Sequence, residues 1–398
     1  MNRVTINLHH LRHNLKLING WMKDHGASYT VVSKVLCGHS DTLCALGMMG
    51  VTSIGDSRLM NLPVVKGAFP GAEIWYLRPP HLSAIQSVVS LSDVSLNSEI
   101  EVIEALSQEA QRQGKVHKII IMIELGDLRE GILPGTLIKF YERVFHMPNV
   151  DVLGIGANLG CLAGAVPNID QLTQLGLYRE LLELKFHHKI PVISAGSSVV
   201  LPMLLMGTVP KVINHFRIGE ALFLGTDLIH GGTLRGLHDD VVVVEAEIAE
   251  IKEKGLVPMG ETTEMSPFPS VVNEDLTPGQ RGYRALITIG QLDTDVSGLI
   301  PFNSEYQIAG ASSDITVVNL GASNDGMAVG DTIKFRVSYS ALLRLMNNKY
   351  SEQVIVPDLE QFTEAITGET AGESAPAAPA RSRCAPGAAG GAGGETAT

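Results

Sequence analysis

The chain has 398 residues, enough for two ordinary domains, and its 45% apolar and 18% charged content is that of a water-soluble globular protein. A formal net charge of -12, with no dense Lys/Arg patch, excludes the basic footprint of a nucleic-acid binder. No apolar run approaches the roughly 20 residues of a membrane span, "MNRVTINLHHLRHNL" lacks a signal-peptide core, and Cys37, Cys44, Cys161 and Cys384 show neither disulfide nor metal-ligand spacing, so a cytoplasmic location is expected.

In chain order, "TINLHHLRHNLKLINGWM" places Leu8, Leu11, Leu15, Ile18 and Met22 at helical spacing. Eight strand-like segments follow: "YTVVSK", "VTSIGD", "EIWYLR", "DVSLN", "VHKIIIMIE", "VDVLGIGAN", "IPVISAG" and "NHFRIGEAL". Helical patterns such as "SEIEVIEALSQEAQRQ", "GTLIKFYERVF" and "QLTQLGLYRELLELKFH" lie between them. Strands alternating with helices pair in parallel through right-handed crossovers, and a count of eight predicts a closed (β/α)8 TIM-type barrel over residues 1–232. An open, doubly wound sheet is the rival if one strand is miscounted. Residues 233–356 change texture: "VVVVEAEIAEIKEK", "RALITIG", "YQIAGASSDITVVNL" and "DTIKFRVSY" predict a smaller antiparallel β domain. Residues 357–398, rich in Gly, Ala and Pro, have little large apolar surface and are expected to form a disordered tail.

The chemistry gathers at the strand ends, where such barrels build their sites. Lys34 interrupts the apolar run of the first strand, where lysine is unusual. The fifth strand runs into "ELGDLREG", the sixth ends in "GANLGC", the seventh in "SAGSS", and the eighth contains "FRIGEALFLG". Singly these have plain structural readings: a snorkelling lysine, an N-cap at Ser197 or Ser198, an ion pair at Arg217. Together they suggest a phosphate held by loops seven and eight and an amine on strand one, the pattern for covalently held pyridoxal phosphate.

On these segments the chain resembles the alanine racemase-type (fold type III) pyridoxal-phosphate enzymes over residues 3–356. "IMIELGDLREG", "IGQLDTD" and "GASSD" tie it most closely to the ornithine racemase branch. The resemblance implies that Lys34 carries the cofactor and that Arg129 acts near the substrate. It makes Arg217 the partner of the pyridine nitrogen, and it sets Ser197, Ser198, Gly219, Asn158 and Tyr339 around the cofactor. A head-to-tail homodimer is implied, in which "IGQLDTD" completes the partner's site. The chain departs from alanine racemases where they have tyrosines and a modified lysine: Cys37–His39 follow Lys34, Gln291 stands for the second catalytic tyrosine, and Met122 for the lysine. The small-domain aspartate is kept as Asp314.

The implied reaction is racemisation of an amino acid by two bases, Lys34 on one face and, with Gln291 unable to titrate, Asp293 on the other. Cys161, His39 and Tyr339 are further candidates for that second role. A basic substrate such as ornithine needs an acid at its far end, and Asp127, Glu130, Asp293 and Asp295 are available, with Gln291 beside them. Two rivals stay open: a basic amino-acid decarboxylase on the same barrel and cofactor, and a non-catalytic pyridoxal-phosphate carrier. Carriers are expected to lack the second domain, and decarboxylation is better served by an acid than by Arg217 at the ring nitrogen.

Overall fold

A computed structural model describes residues 2–260 and 277–370. The chain opens with a short strand, β1 (Arg3–Asn7), followed at once by helix α1 (Leu8–His25). The Asn7 side chain accepts the N–H groups of His9 and His10, satisfying donors that the first helical turn would leave free, and Gly26 ends α1 in the left-handed region at φ 77°. Leu8, Leu11, Leu15, Ile18 and Met22 form the buried face that their spacing predicts.

The barrel follows. Its strands are β2 (Ser28–Val32), β3 (Ser53–Asp56), β4 (Glu73–Tyr76), β5 (Val94–Asn97), β6 (His117–Met122), β7 (Val150–Gly156), β8 (Val192–Ser197) and β9 (His215–Ile218). Between them run α2 (Ser40–Met48), α3 (Leu62–Ala68), α4 (Ile85–Leu91), α5 (Ile100–Arg112), α6 (Leu137–Val144), α7 (Ile169–Phe186) and α8 (Leu201–Leu205), with α9 (Glu220–Leu224) after the last strand. The sheet is a closed barrel rather than the open alternative, because β9 returns to pair with β2, Val31 facing Ile218. Its interior is packed: Trp75, Val94, Leu96, Ile120 and Met122 form one cluster, and Trp75 stacks on His215 with ring centroids 4.4 Å apart.

The second domain contains β10 (Val242–Gly255), β11 (Arg281–Ile287), β12 (Leu299–Pro301), β13 (Gln307–Ala311), β14 (Thr316–Gly321), β15 (Thr332–Val337), helix α10 (Tyr339–Met346) and β16 (Glu352–Val356). Strand order is β12-β15-β10-β11-β14-β13, each neighbour antiparallel.

Two expectations need correction. Strand β1 pairs with β10 and β16, so residues 3–7 belong to the second domain's sheet and not to the barrel. Its inward residues, Val4 and Ile6, are fully buried. The expected tail also begins too early, because Leu359–Thr370 form a helix, α11. Phe362 on that helix is fully buried, and its ring meets that of His9 at 6.0 Å. The remainder of that expectation, residues 371–398, lies outside the described residues. Phe362→Ala is expected to lower the unfolding free energy by about 3–5 kcal/mol in a urea titration. An unchanged midpoint would remove α11 from the folded unit.

Candidate active site

Parallel strands in a closed barrel deliver their C-terminal ends to one rim. At that rim β2 gives way, after Ser33, to a single 3-10 turn, Lys34–Leu36. Ser33 pins the strand end by donating from its backbone to Gly55 O at 2.9 Å and from its hydroxyl to Asp56 Oδ2 at 3.1 Å. Cys37, at φ 48°, closes the turn, with its sulfur near the carbonyls of Lys34 and Leu343. Lys34 is half-buried, and among the described residues its amine has no hydrogen bond or ion pair. The Tyr339 ring from α10 faces it, 5.7 Å from Nζ to the ring centroid. Burial lowers the Lys34 pKa and Arg129 adds to that, while Cys161, Asp56 and Glu220 pull the other way. Burial also raises the Tyr339 phenol, helped by Glu220.

Arg217 lies on β9 with only 7% of its surface exposed. Nη1 donates to the carbonyl and hydroxyl of Ser194 at 2.5 and 2.6 Å, and Nη2 to Ala157 O and Asn158 Oδ1, both at 2.8 Å. Its Nε–H has no partner among the described residues, so one donor is left for an acceptor such as a pyridine nitrogen. Burial pulls its pKa down to about 10, so it stays protonated at neutral pH. Below it, Ser194 Oγ also meets His215 Nδ1 at 2.8 Å, and His215 Nε2 meets Thr30 Oγ1 at 3.1 Å. Burial brings the His215 pKa down to about 3, which keeps the ring neutral.

The segments after β8 and β9 lie against each other, because Ser198 Oγ accepts the backbone N–H of Ala221 at 3.1 Å. Gly219 brings β9 close to β2: a Cβ there would stand 3.0 Å from Val32 Cβ and 3.1 Å from Val32 O, so a larger residue would push on the first strand. Ser197 is half-buried at the end of β8, and among the described residues its hydroxyl has no partner. These groups, the open Lys34 amine and the free Arg217 Nε–H fit pyridoxal phosphate in chemistry and in order around the rim.

Arg129 donates through Nη1 to Cys161 Sγ at 2.6 Å and pairs with Glu130, which also accepts from Asn158. The Glu130 partner raises the Arg129 pKa. Thus Arg129, Glu130, Asn158, Cys161 and Arg217 form one connected set.

The other acids do not join it. Asp127 is 1% exposed, and its carboxylate accepts the backbone N–H groups of Cys161, Leu162 and Ala163 at 3.1–3.3 Å. Its carboxylate is thus occupied in shaping the loop after β7, a structural task that differs from the substrate-binding role expected for it. Asp293 accepts from Gly290 N and Asn348 Nδ2, both at 2.9 Å. Asp295 accepts from the hydroxyls of Ser340 and Ser297, which lower its pKa. Gln291 sits in the same loop, its backbone N–H bonded to Ser312 O. Neither Asp293 nor Asp295 is among the charges acting on Lys34 within one chain.

Two site acids escaped the sequence reading. Asp56 ends β3, is fully buried, and is held by Ser33, Arg58 N and Asn61; burial raises its pKa. Glu220 opens α9 directly after Gly219, and burial raises its carboxyl to about 7 against the pull of Lys34. Both stand at strand ends, a signal the strand-end rule could have used. The barrel's opposite mouth holds a cavity of about 310 Å³ lined by Ser28, Tyr29, Ser53, Glu73 and His215. It lies where strands begin, away from Lys34.

Comparison with known proteins agrees with this geometry. Residues 6–227 match the family described as "Alanine racemase, N-terminal domain". An ornithine racemase of Acetoanaerobium sticklandii is 34% identical over 89% of this chain and 99% of its own. A lysine racemase of Thermotoga maritima is 31% identical over 90% of this chain and 99% of its own. Among solved structures, alanine racemase from Streptomyces coelicolor A3(2) matches with a TM-score of 0.68 at 18% identity, covering 90% of this chain and 98% of that one. The Bartonella henselae enzyme with covalently bound pyridoxal phosphate matches at 0.65 and 16% identity, covering 89% and 99%. With more than half its length matched by the family and two relatives spanned almost end to end, the chain belongs to the alanine racemase family.

Proposed function

We propose that this protein is a pyridoxal-phosphate-dependent racemase of a basic amino acid, with ornithine as the first substrate to test. The observation that carries the reading is an unpartnered, half-buried Lys34 amine on the same rim as a buried Arg217 with one free donor. The two relatives matched along nearly their whole length, named for ornithine and lysine, support the substrate class.

Pyridoxal phosphate, when bound, acidifies the substrate's α-proton by withdrawing electrons. Lys34 would hold the group and then carry that proton on one face. A base is useful when its pKa lies near the working pH, and burial moves Lys34 in that direction. Arg217 would donate Nε–H to the ring nitrogen without surrendering its proton, which moderates electron withdrawal and favours return of the proton to carbon. That suits racemisation better than decarboxylation. A full second domain likewise separates the chain from a simple carrier.

For the opposite face, we place the proton with Cys161 rather than Asp293. Cys161 stands in the site beside Arg129, whose guanidinium donates to its sulfur, and a negative charge there would favour the Lys34 ammonium. Asp293 and Asp295 would reach a site only as part of a head-to-tail homodimer, which remains our reading of assembly, with the cytoplasm as location. There Asp295, kept acidic by two hydroxyls, would receive the cationic end of the substrate. Arg129 would meet the substrate carboxylate.

L-Ornithine in deuterated water should give D-ornithine labelled at Cα. Lys34→Ala should lose both this activity and the cofactor that borohydride fixes to the chain. Release of CO2 with a diamine would select the decarboxylase instead. Cys161→Ser should cut racemisation by about 10²–10⁴-fold while one enantiomer still exchanges its α-hydrogen with solvent. Symmetric loss of exchange, or near-normal turnover, would move the second base elsewhere. Glu220→Gln removes a negative charge that favours the Lys34 ammonium, so the pH at which apoenzyme captures pyridoxal phosphate should fall. An unchanged capture profile would mean Glu220 does not act on Lys34.

A further inference from the structure

Away from the rim, helix α1 and the segment joining α9 to β10 meet in a cluster that racemase chemistry does not use. His10, His13 and Asn14 share one face of α1, spaced three and four residues apart. Asn14 is fully buried and grips the backbone of His238 from both sides: it accepts His238 N–H at 2.7 Å and donates to His238 O at 2.9 Å and Leu222 O at 3.1 Å. The next residues are fixed too, since Asp239 accepts from Thr233 Oγ1 at 3.1 Å and pairs with Arg336 at 3.2 Å.

Within this frame, His10 Nδ1 lies 2.8 Å from Asp240 Oδ1, and His238 Nδ1 lies 3.6 Å from the same oxygen. His10 Nδ1 and Asp240 Oδ1 are both buried, yet no hydrogen bond joins them. An ion pair at that distance would normally align N–H with oxygen. Two buried polar atoms in contact without an aligned hydrogen bond each keep a capacity that another partner could fill. The ligand atoms of His10, His238 and Asp240 all lie within 4.8 Å of one another. His13 stands apart, because its Nε2 is bonded to Gly236 O at 2.9 Å.

We propose that His10, His238 and Asp240 form a binding site for one divalent transition-metal ion of the zinc type. Two imidazole nitrogens and one carboxylate oxygen are a borderline-soft ligand set, poor for magnesium or calcium and suited to zinc with water completing the shell. The rings of His10 and His238 lie parallel, at 4° with centroids 3.9 Å apart, and would splay to admit an ion at its roughly 2.0–2.2 Å bonding distance. The bound ion would clamp the first helix of the barrel to the strand that starts the second domain.

The test is calorimetric titration of chelator-washed, full-length holoenzyme with Zn²⁺, alongside its thermal midpoint. The expected result is one Zn²⁺ per chain and a raised midpoint, with Mg²⁺ giving neither. Asp240→Asn and His10→Gln should each weaken Zn²⁺ binding by about tenfold or more, while His13→Gln retains it. If Asp240→Asn does not fold, His10→Gln decides. Absence of uptake, or equal uptake by His10→Gln and the parent, would overturn the site and leave the cluster as a histidine–carboxylate pair.

Discussion

A guanidinium charge buried inside a closed barrel has to be matched by oriented dipoles, and much of the candidate site follows from how Arg217 is matched. Its terminal nitrogens bind groups from β8 and from the residues just beyond β7. Breaking such a set leaves an unpaired buried charge, which costs far more than a lost surface contact. Asn158 extends the set outward to Glu130, Arg129 and Cys161. Inward, Arg217 can only donate, so Ser194 Oγ accepts from it. The chain of contacts continues from Ser194 Oγ to His215 Nδ1, from His215 Nε2 to Thr30 Oγ1, and from Thr30 Oγ1 to Ser53 Oγ at 2.8 Å. One charge is thereby linked both to a neutral histidine in the core and to a thiol at the rim.

Lys34 is governed differently. It has no dedicated partner, and its proton affinity is a balance among burial, the cation of Arg129 and the anionic forms of Cys161, Asp56 and Glu220. The role proposed for Lys34, which requires it to exchange partners, is better served by such a balance than by a tight ion pair. Glu220, near half-ionised at neutral pH, lets that balance respond to pH.

The barrel was legible because each strand is a short apolar run bounded by polar turns; Lys34 stood out because it interrupts such a run, and Arg217 through the resemblance carried by "FRIGEALFLG". What escaped had weaker local signals. "RVTIN" alternates over only five residues and runs directly into an eighteen-residue helix that dominates the pattern. Helix α11 carries Leu359, Phe362 and Ile366 at helical spacing, but they adjoin a Gly/Ala/Pro-rich segment whose composition swamped them. Asp127 illustrates the limit at the site. An acid in an active-site motif has the same letter whether it meets a substrate or three backbone amides, and only the path of residues 161–163 decides. Asp56 and Glu220 needed neighbours from separate strands before their shared influence on Lys34 became visible.

The placement of β1 has a consequence for how the molecule is made. Its two partners lie at residues 242–245 and 352–356, so the first strand has nothing to pair with until the whole barrel has been made. At the ~5–20 residues per second of ribosomal synthesis, the first partner follows after roughly 12–50 s. The barrel's local βα units can assemble during that interval. Val4 and Ile6, fully buried in the finished sheet, meanwhile stay uncovered. Completion of the sheet thus joins residues 3–7, made before the barrel, to residues 352–356, made after the rest of the second sheet.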